Sequence, residues 1–133
     1  MIIEFPYRRE SSERLEYIYR PVAKVFIKGS NQRDVFEYFY VDSGADYTLI
    51  PYKLGRFLGF SAENREVNEV QGISGAVGIV LTEMKMRIGE CEFTAPVGWA
   101  QIEHVPMLLG RSGVFDQFEV IFRQSEHKVI FQK

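Results

Sequence analysis

The sequence predicts an all-β fold, a closed barrel or sandwich of short strands with one or two brief helices. Short apolar runs rich in β-branched and aromatic residues recur along the chain, several with a period of two, and Gly, Pro, Ser or Asn separates them at close spacing. Seven tyrosines and eleven phenylalanines suit pleated, half-buried surfaces. Helical spacing occurs in only two stretches. At 133 residues the chain is expected to form one domain over 1–133, with residues 1–19 as an N-terminal extension or an interface strand.

Residues 2–7 read as a short strand, and the charged, serine-containing segment 8–16 as a loop or a solvated helical turn. Over 20–28, Val22, Lys24, Phe26 and Lys28 share one phase and Ala23, Val25 and Ile27 the other, the pattern of a strand. Gly29-Ser30-Asn31 supplies turn chemistry, and 34–41 returns as the second arm of a hairpin ending at Asp42. Pro51 suits a first helical turn, Leu54, Phe57 and Leu58 have helical spacing, and Gly59 suits a helix end, so a short helix is expected over 52–60. Residues 66–71 and 76–81 flank Gly72-Ile73-Ser74-Gly75 as a second hairpin.

Met84, Met86 and Ile88 alternate with Glu83, Lys85 and Arg87, the clearest half-buried strand in the chain, which runs to a turn at Gly89-Glu90. Residues 91–100 form another strand, in which Pro96 indicates an edge position or a bend. Residues 110–118 have the spacing of a short helix, and 119–122 with 128–131 make a terminal hairpin.

Composition removes several function classes. The net charge is −2 with both signs mixed along the chain, so no nucleic-acid or anionic-membrane partner is expected. One cysteine, Cys91, excludes an internal disulfide; with acids on both sides it reads as a small hydrophobe rather than a nucleophile. His104 and His127 lack metal-ligand spacing and there is no phosphate-binding glycine loop, so neither a metal site nor a cofactor is expected. No apolar run is long enough to span a bilayer, and an acid and a proline soon after Met1 argue against a signal sequence, which makes a cytoplasmic location the expectation.

The chemistry concentrates in residues 40–51, where an apolar strand drives into Asp42-Ser43-Gly44-Ala45-Asp46 and apolar character resumes at Leu49. An Asp-Ser-Gly tripeptide alone is an ordinary turn. Here apolar segments flank it on both sides, and a carboxylate at such a strand end needs a partner or a task. Together with Met107-Leu108-Leu109-Gly110-Arg111, the stretch resembles the retropepsin-like aspartic peptidases. In that family an apolar pair precedes Asp-Thr/Ser-Gly-Ala, and a later apolar-apolar-Gly, often followed by Arg, packs under the catalytic loop. The resemblance spans residues 20–132.

It implies a retropepsin-like barrel and an aspartic endopeptidase with Asp42 as the catalytic residue. Carboxylate-only hydrolysis needs two acids sharing one proton, and no second Asp-Ser/Thr-Gly exists in this chain. The resemblance therefore implies a homodimer with one Asp42 from each subunit and a peptide or protein substrate bound in extended form. By the same resemblance Ser43 bonds across the dimer axis, and Gly44, Ala45 and Asp46 meet substrate backbone. Gly110 and Arg111 support the loop, Arg111 through a planar pair with Asp46. The hairpin with Ile73 and Ser74 at its tip is a flap, and Val105, Pro106 and Leu108 line pockets selecting hydrophobic residues. The terminal segments 2–5 and 128–132 are candidates for the dimer interface. A dimerisation or peptide-binding module without proteolysis, and an enzyme restricted to one substrate, remain open alternatives.

Overall fold

The computed structural model describes residues 1–72 and 75–133. The protein is mostly β, with few helical turns. Strands β4 (Val22–Lys28) and β5 (Asp34–Val41) form an antiparallel hairpin from Val22↔Tyr40 to Lys28↔Asp34. β6 (Thr48–Ile50) follows the Asp42 loop and leads into helix α1 (Tyr52–Phe57). β7 (Asn68–Gly72) and the long β8 (Gly75–Ile88) make the next hairpin, and β9 (Cys91–Ala100) returns along β8.

With the two-residue strand β10 (Leu108–Leu109), these elements form one sheet in the order β4-β5-β10-β6-β9-β8-β7. Its ring closes because β8 also pairs with β4, from Phe26↔Arg87 to Lys28↔Lys85. Closure leaves β4 and β8 no free edge at that point, the standard solution to edge-strand exposure. The alternation read from sequence sets the inner face: Met84, Met86 and Ile88 are buried, together with Val25, Ile27, Phe39 and Trp99.

A second sheet, in the order β1-β12-β11, joins the two ends of the chain. β1 (Ile2–Pro6) and β11 (Glu119–Arg123) flank β12 (Lys128–Gln132), whose Val129, Ile130 and Phe131 are buried. Main-chain bonds clasp the termini, with Met1 N donating to Lys133 O at 2.7 Å and Lys133 N to Met1 O at 2.8 Å. Because β12 is paired on both edges, the segment 128–132 has no ladder edge to offer another chain, whereas β1 keeps one.

Four expectations need correction. Residues 8–16 are not simply a loop, since β2 (Arg8–Ser11) pairs with β3 (Tyr17–Arg20). Its stabilising contacts cross between strands and beyond: the Arg9 guanidinium lies 4.3 Å from the Tyr17 ring centre, and Tyr19 stacks on His127 at 3.9 Å. Hydrophobic periodicity carries no trace of them.

Pro96 does not mark an edge strand, because β9 is interior, with β8 on one side and β6 on the other. The parallel register with β6 begins at Thr48↔Val97, one residue past the proline. The helix expected over 110–118 reduces to a 3-10 turn at Phe115–Gln117, since Gly113 takes a left-handed φ of 74°. α1 stops at Phe57, ahead of Gly59 at φ 86°.

Distant residues pin α1 at both ends. Glu103 Oε1 accepts the Lys53 N–H at 2.8 Å, supplying the cap that Pro51 cannot, and Asn31 Nδ2 donates to Phe57 O at 3.0 Å. This gives the 101–104 loop a structural task that its sequence did not reveal. The helix lies on Trp99, whose indole N–H donates to Tyr52 O at 3.0 Å, and a Cβ at Gly55 would come within 2.1 Å of that indole. Gly55→Ala is therefore expected to destabilise the fold by about 1–3 kcal/mol through overpacking; the shift in urea midpoint measures it.

Candidate active site

Three short strands build the loop that carries Asp42. β10 runs parallel to β5 (Leu108↔Tyr40, Leu109↔Val41) and antiparallel to β6 (Leu108↔Leu49), so it wedges between the segments entering and leaving the loop. The Asp42 N–H donates to Leu109 O at 3.0 Å, which fixes the residue at the end of β5. Its carboxylate Oδ1 accepts the Gly44 N–H at 2.9 Å, and Asp42 O accepts the Ala45 N–H at 3.2 Å. This is an Asx-type turn. It holds one carboxylate oxygen of Asp42 in place.

The C-terminal motif locks the loop from beneath. Gly110 is buried, and its N–H donates at 3.1 Å to the hydroxyl of Thr48, a fully buried polar side chain. A Cβ on Gly110 would lie 2.3 Å from the Tyr47 carbonyl carbon, so the two segments cross with no room for a side chain. Arg111 N donates to Ala45 O and Ser112 N to Asp46 O, both at 2.9 Å. Arg111 Nη2 also donates to Asp46 Oδ1. The Asp46–Arg111 pair thus exists, through one hydrogen bond rather than a planar fork. With side chains 72% and 54% exposed it adds little stability by itself; the main-chain bonds beside it do the holding.

An open groove of about 520 Å³ runs beside Asp42, lined by Val41, Pro106 and Leu108 together with Tyr40, Pro21, Arg20 and Glu10. It brings Pro106 and Leu108 to the carboxylate and leaves Val105 outside its lining. Ser43, Gly44 and Asp46 are exposed on the loop and Ala45 is half-buried. Ile73 and Ser74 lie outside the described residues, although the arms that lead to them pair as far as Gly72↔Gly75. Among the described residues no cluster of His, Cys, Asp and Glu has the makings of a metal site, and no helix is long and apolar enough to cross a membrane. Cys91 is half-buried, with Lys133 Nζ at 3.4 Å from its sulfur.

Sequence reasoning missed Glu10 and Tyr40. Tyr40 OH donates to Glu10 Oε2 at 2.6 Å, and Glu10 also meets Arg8 Nε at 3.2 Å and Arg20 Nε at 3.0 Å. The hydrogen bond from Tyr40, more than the two arginines, holds the Glu10 carboxyl below its usual range, while the same bond pushes the Tyr40 phenol up. No stretch of the sequence signals this cluster, since Arg8 comes opposite Arg20 only through the register of β2 against β3.

No protein-family model matches the sequence, and no curated protein matches it in sequence. In structure the chain is similar to a retropepsin-like aspartic protease from Rickettsia conorii, at a TM-score of 0.69 and 17% identity over 98% of each chain. It is also similar to EIAV protease in complex with an inhibitor, at a TM-score of 0.54 and 19% identity over 74% of this chain and 86% of that one. At these identities the likeness establishes the fold: an all-β, retropepsin-like barrel.

Replacing Thr48 with Val, of the same shape, orphans the buried Gly110 N–H and is expected to cost about 1–3 kcal/mol, with Thr48→Ser closer to wild type; denaturant titration of both separates hydroxyl from packing. The Glu10–Tyr40 bond gives a second expectation, in stability against pH. Glu10, with its lowered pKa, contributes stability present above its ordinary value of 4.5 and lost as pH falls through its folded value. Tyr40, with its raised pKa, contributes stability present below 10.0 and lost as pH rises through its folded value. Tyr40→Phe should therefore flatten the stability profile at both ends relative to wild type, as read by thermal unfolding across the pH range.

Proposed function

We propose that this chain is an aspartic endopeptidase that works as a homodimer. One observation carries the reading. On a retropepsin-like barrel, the single Asp-Ser-Gly loop is braced by Gly110 and Arg111 so that Asp42 keeps one oxygen in an internal hydrogen bond beside a groove lined by Pro106 and Leu108. In the proposed mechanism two Asp42 carboxylates, one per subunit, share a proton and hold a water between them. One removes a proton from the water as it attacks the scissile carbonyl, and the other protonates the carbonyl oxygen; the leaving nitrogen is protonated as the tetrahedral species collapses. Gly44, Ala45 and Asp46 take substrate main chain in extended form, Ser43 reaches across the two-fold axis, and the hairpin bearing Ile73 and Ser74 closes over the peptide. No cofactor enters this scheme.

The test is cleavage of a diverse peptide mixture between pH ~4 and ~7, a window that brackets ordinary carboxylates and a raised partner. Asp42→Asn is expected to lower the rate by at least ~10²-fold. Mixing equal amounts of wild type and Asp42→Asn should leave about one quarter of the activity of the same total wild-type protein, the share of wild-type pairs in a randomly exchanging dimer. A monomer at every concentration in sedimentation, or cleavage unchanged in Asp42→Asn, overturns the shared-site mechanism. A folded dimer that binds peptides and cuts none would make the chain a binding module.

A further inference from the structure

Along the β4–β5 hairpin and away from Asp42, strand register lines up outward side chains in rows across the barrel wall. Phe36 of β5 stands opposite Phe26 of β4, and Phe26 stands opposite Arg87 of β8. The row on one side of these is Asp34, Lys28 and Lys85; on the other side Tyr38 faces Lys24. Phe36 and Tyr38 are 50% and 45% exposed, and contiguous exposed rings mark an interaction surface. Lys28 and Lys85 stand directly opposite each other, an arrangement of like charges that costs a sheet stability. Asp34 lies 3.9 Å from Lys28, and among the described residues Lys24, Lys85 and Arg87 pair with no carboxylate. Two of these cations are nevertheless held in place. Lys24 Nζ lies 4.2 Å from the Phe36 ring centre, and Arg87 Cζ lies 3.9 Å from that of Phe26 while its Nη1 donates to Gly89 O at 2.8 Å. An open groove of about 670 Å³ runs along this face, with Phe26, Lys28, Lys85 and Arg87 in its lining.

We infer that this face docks an acidic, extended segment of a partner protein, with side chains in the order acid-x-apolar-x-acid. Successive rows lie two residues apart along the strands, roughly 7 Å, which is also the repeat on one face of an extended peptide. One acid sits between Lys28 and Lys85 and relieves their repulsion, the apolar residue rests on Phe36 and Phe26, and the second acid meets Lys24. Charge complementarity selects this occupant. Four bases, Lys24, Lys28, Lys85 and Arg87, stand against two acids, Asp34 and Glu92, on a chain whose net charge is −2. A nucleic acid fits less well: Asp34 and Glu92 interrupt the bases that a phosphate backbone would follow, and Lys24 and Arg87 lie over the rings on which nucleobases would stack. Phe36 is six residues along the hairpin from Asp42, roughly 20 Å, so the site stands whether or not the chain cuts peptides.

Fluorescence anisotropy tests this with full-length Asp42→Asn and a labelled peptide carrying Glu-x-Phe-x-Glu between Gly and Ser residues. The peptide is expected to bind about tenfold tighter than its Gln-x-Phe-x-Gln counterpart, the worth of two exposed ion pairs, and to weaken as salt is raised. Lys85→Gln removes most of that difference and Phe36→Ala weakens binding of both peptides. Lys53→Gln, which removes the same charge on α1, retains the difference, and so does Pro106→Ala in the groove beside Asp42. Circular dichroism verifies that each variant is folded. Equal affinity for the Glu and Gln peptides, no binding by either, or a loss in Lys53→Gln or Pro106→Ala as complete as in Lys85→Gln each overturns the inference. A single-stranded oligonucleotide that binds tighter than the Glu peptide and displaces it also overturns it, and makes the face a nucleic-acid site.

Discussion

Everything at the candidate site depends on one close crossing, where Gly110 passes Tyr47 and Thr48 with no space for a Cβ. A buried N–H at such a crossing must be satisfied, and the Thr48 hydroxyl satisfies it. The bond ties β10 to the start of β6, while β10 pairs in parallel with the end of β5. The loop between β5 and β6 is thereby held at both ends and from below, and the Asp42 carboxylate inherits its orientation. A larger residue at 110 or a missing hydroxyl at 48 would act on Asp42 without touching it.

The ring of the large sheet gives that crossing a rigid frame. β8 is long enough to pair with β7 near Gly75, with β9 along its length and with β4 near Lys85, so one strand joins the hairpin arms, the barrel wall and the closure point. The second sheet fastens both termini, and Tyr7, which follows β1, is buried and bonded through its N–H to His127 O at 2.8 Å. Residues 1–19 are thus built into the molecule, and the β2–β3 hairpin places Glu10 and Arg20 in the groove from a part of the chain remote in sequence from Asp42.

Much of this was legible in residue order. Alternation at 83–88, the hairpin over 22–41 and the terminal hairpin all follow from side chains that must choose between water and core, a choice each residue makes almost alone. Elements whose stability lies in pairing rather than burial were not legible: β2 and β3 are mostly exposed, and β6 and β10 are too short to show a period. Pro96 was misread because its tolerance depends on where a neighbouring strand begins.

For the candidate site the division is similar. Asp42, Gly110 and Arg111 stand out in sequence because motifs record local chemistry, and the strand running into Asp42 records its place at a strand end. The sequence by itself determined the all-β class, the inward and outward faces of the longer strands, and the two segments that had to meet. Tertiary structure alone decided that Thr48 receives Gly110, that Glu103 caps α1, and that Glu10, Tyr40 and Arg20 share a wall with Asp42. Those contacts join residues up to 62 positions apart, and hydrogen bonds and ion pairs, unlike hydrophobic burial, depend on the partner's position and angle, which no single stretch of sequence encodes.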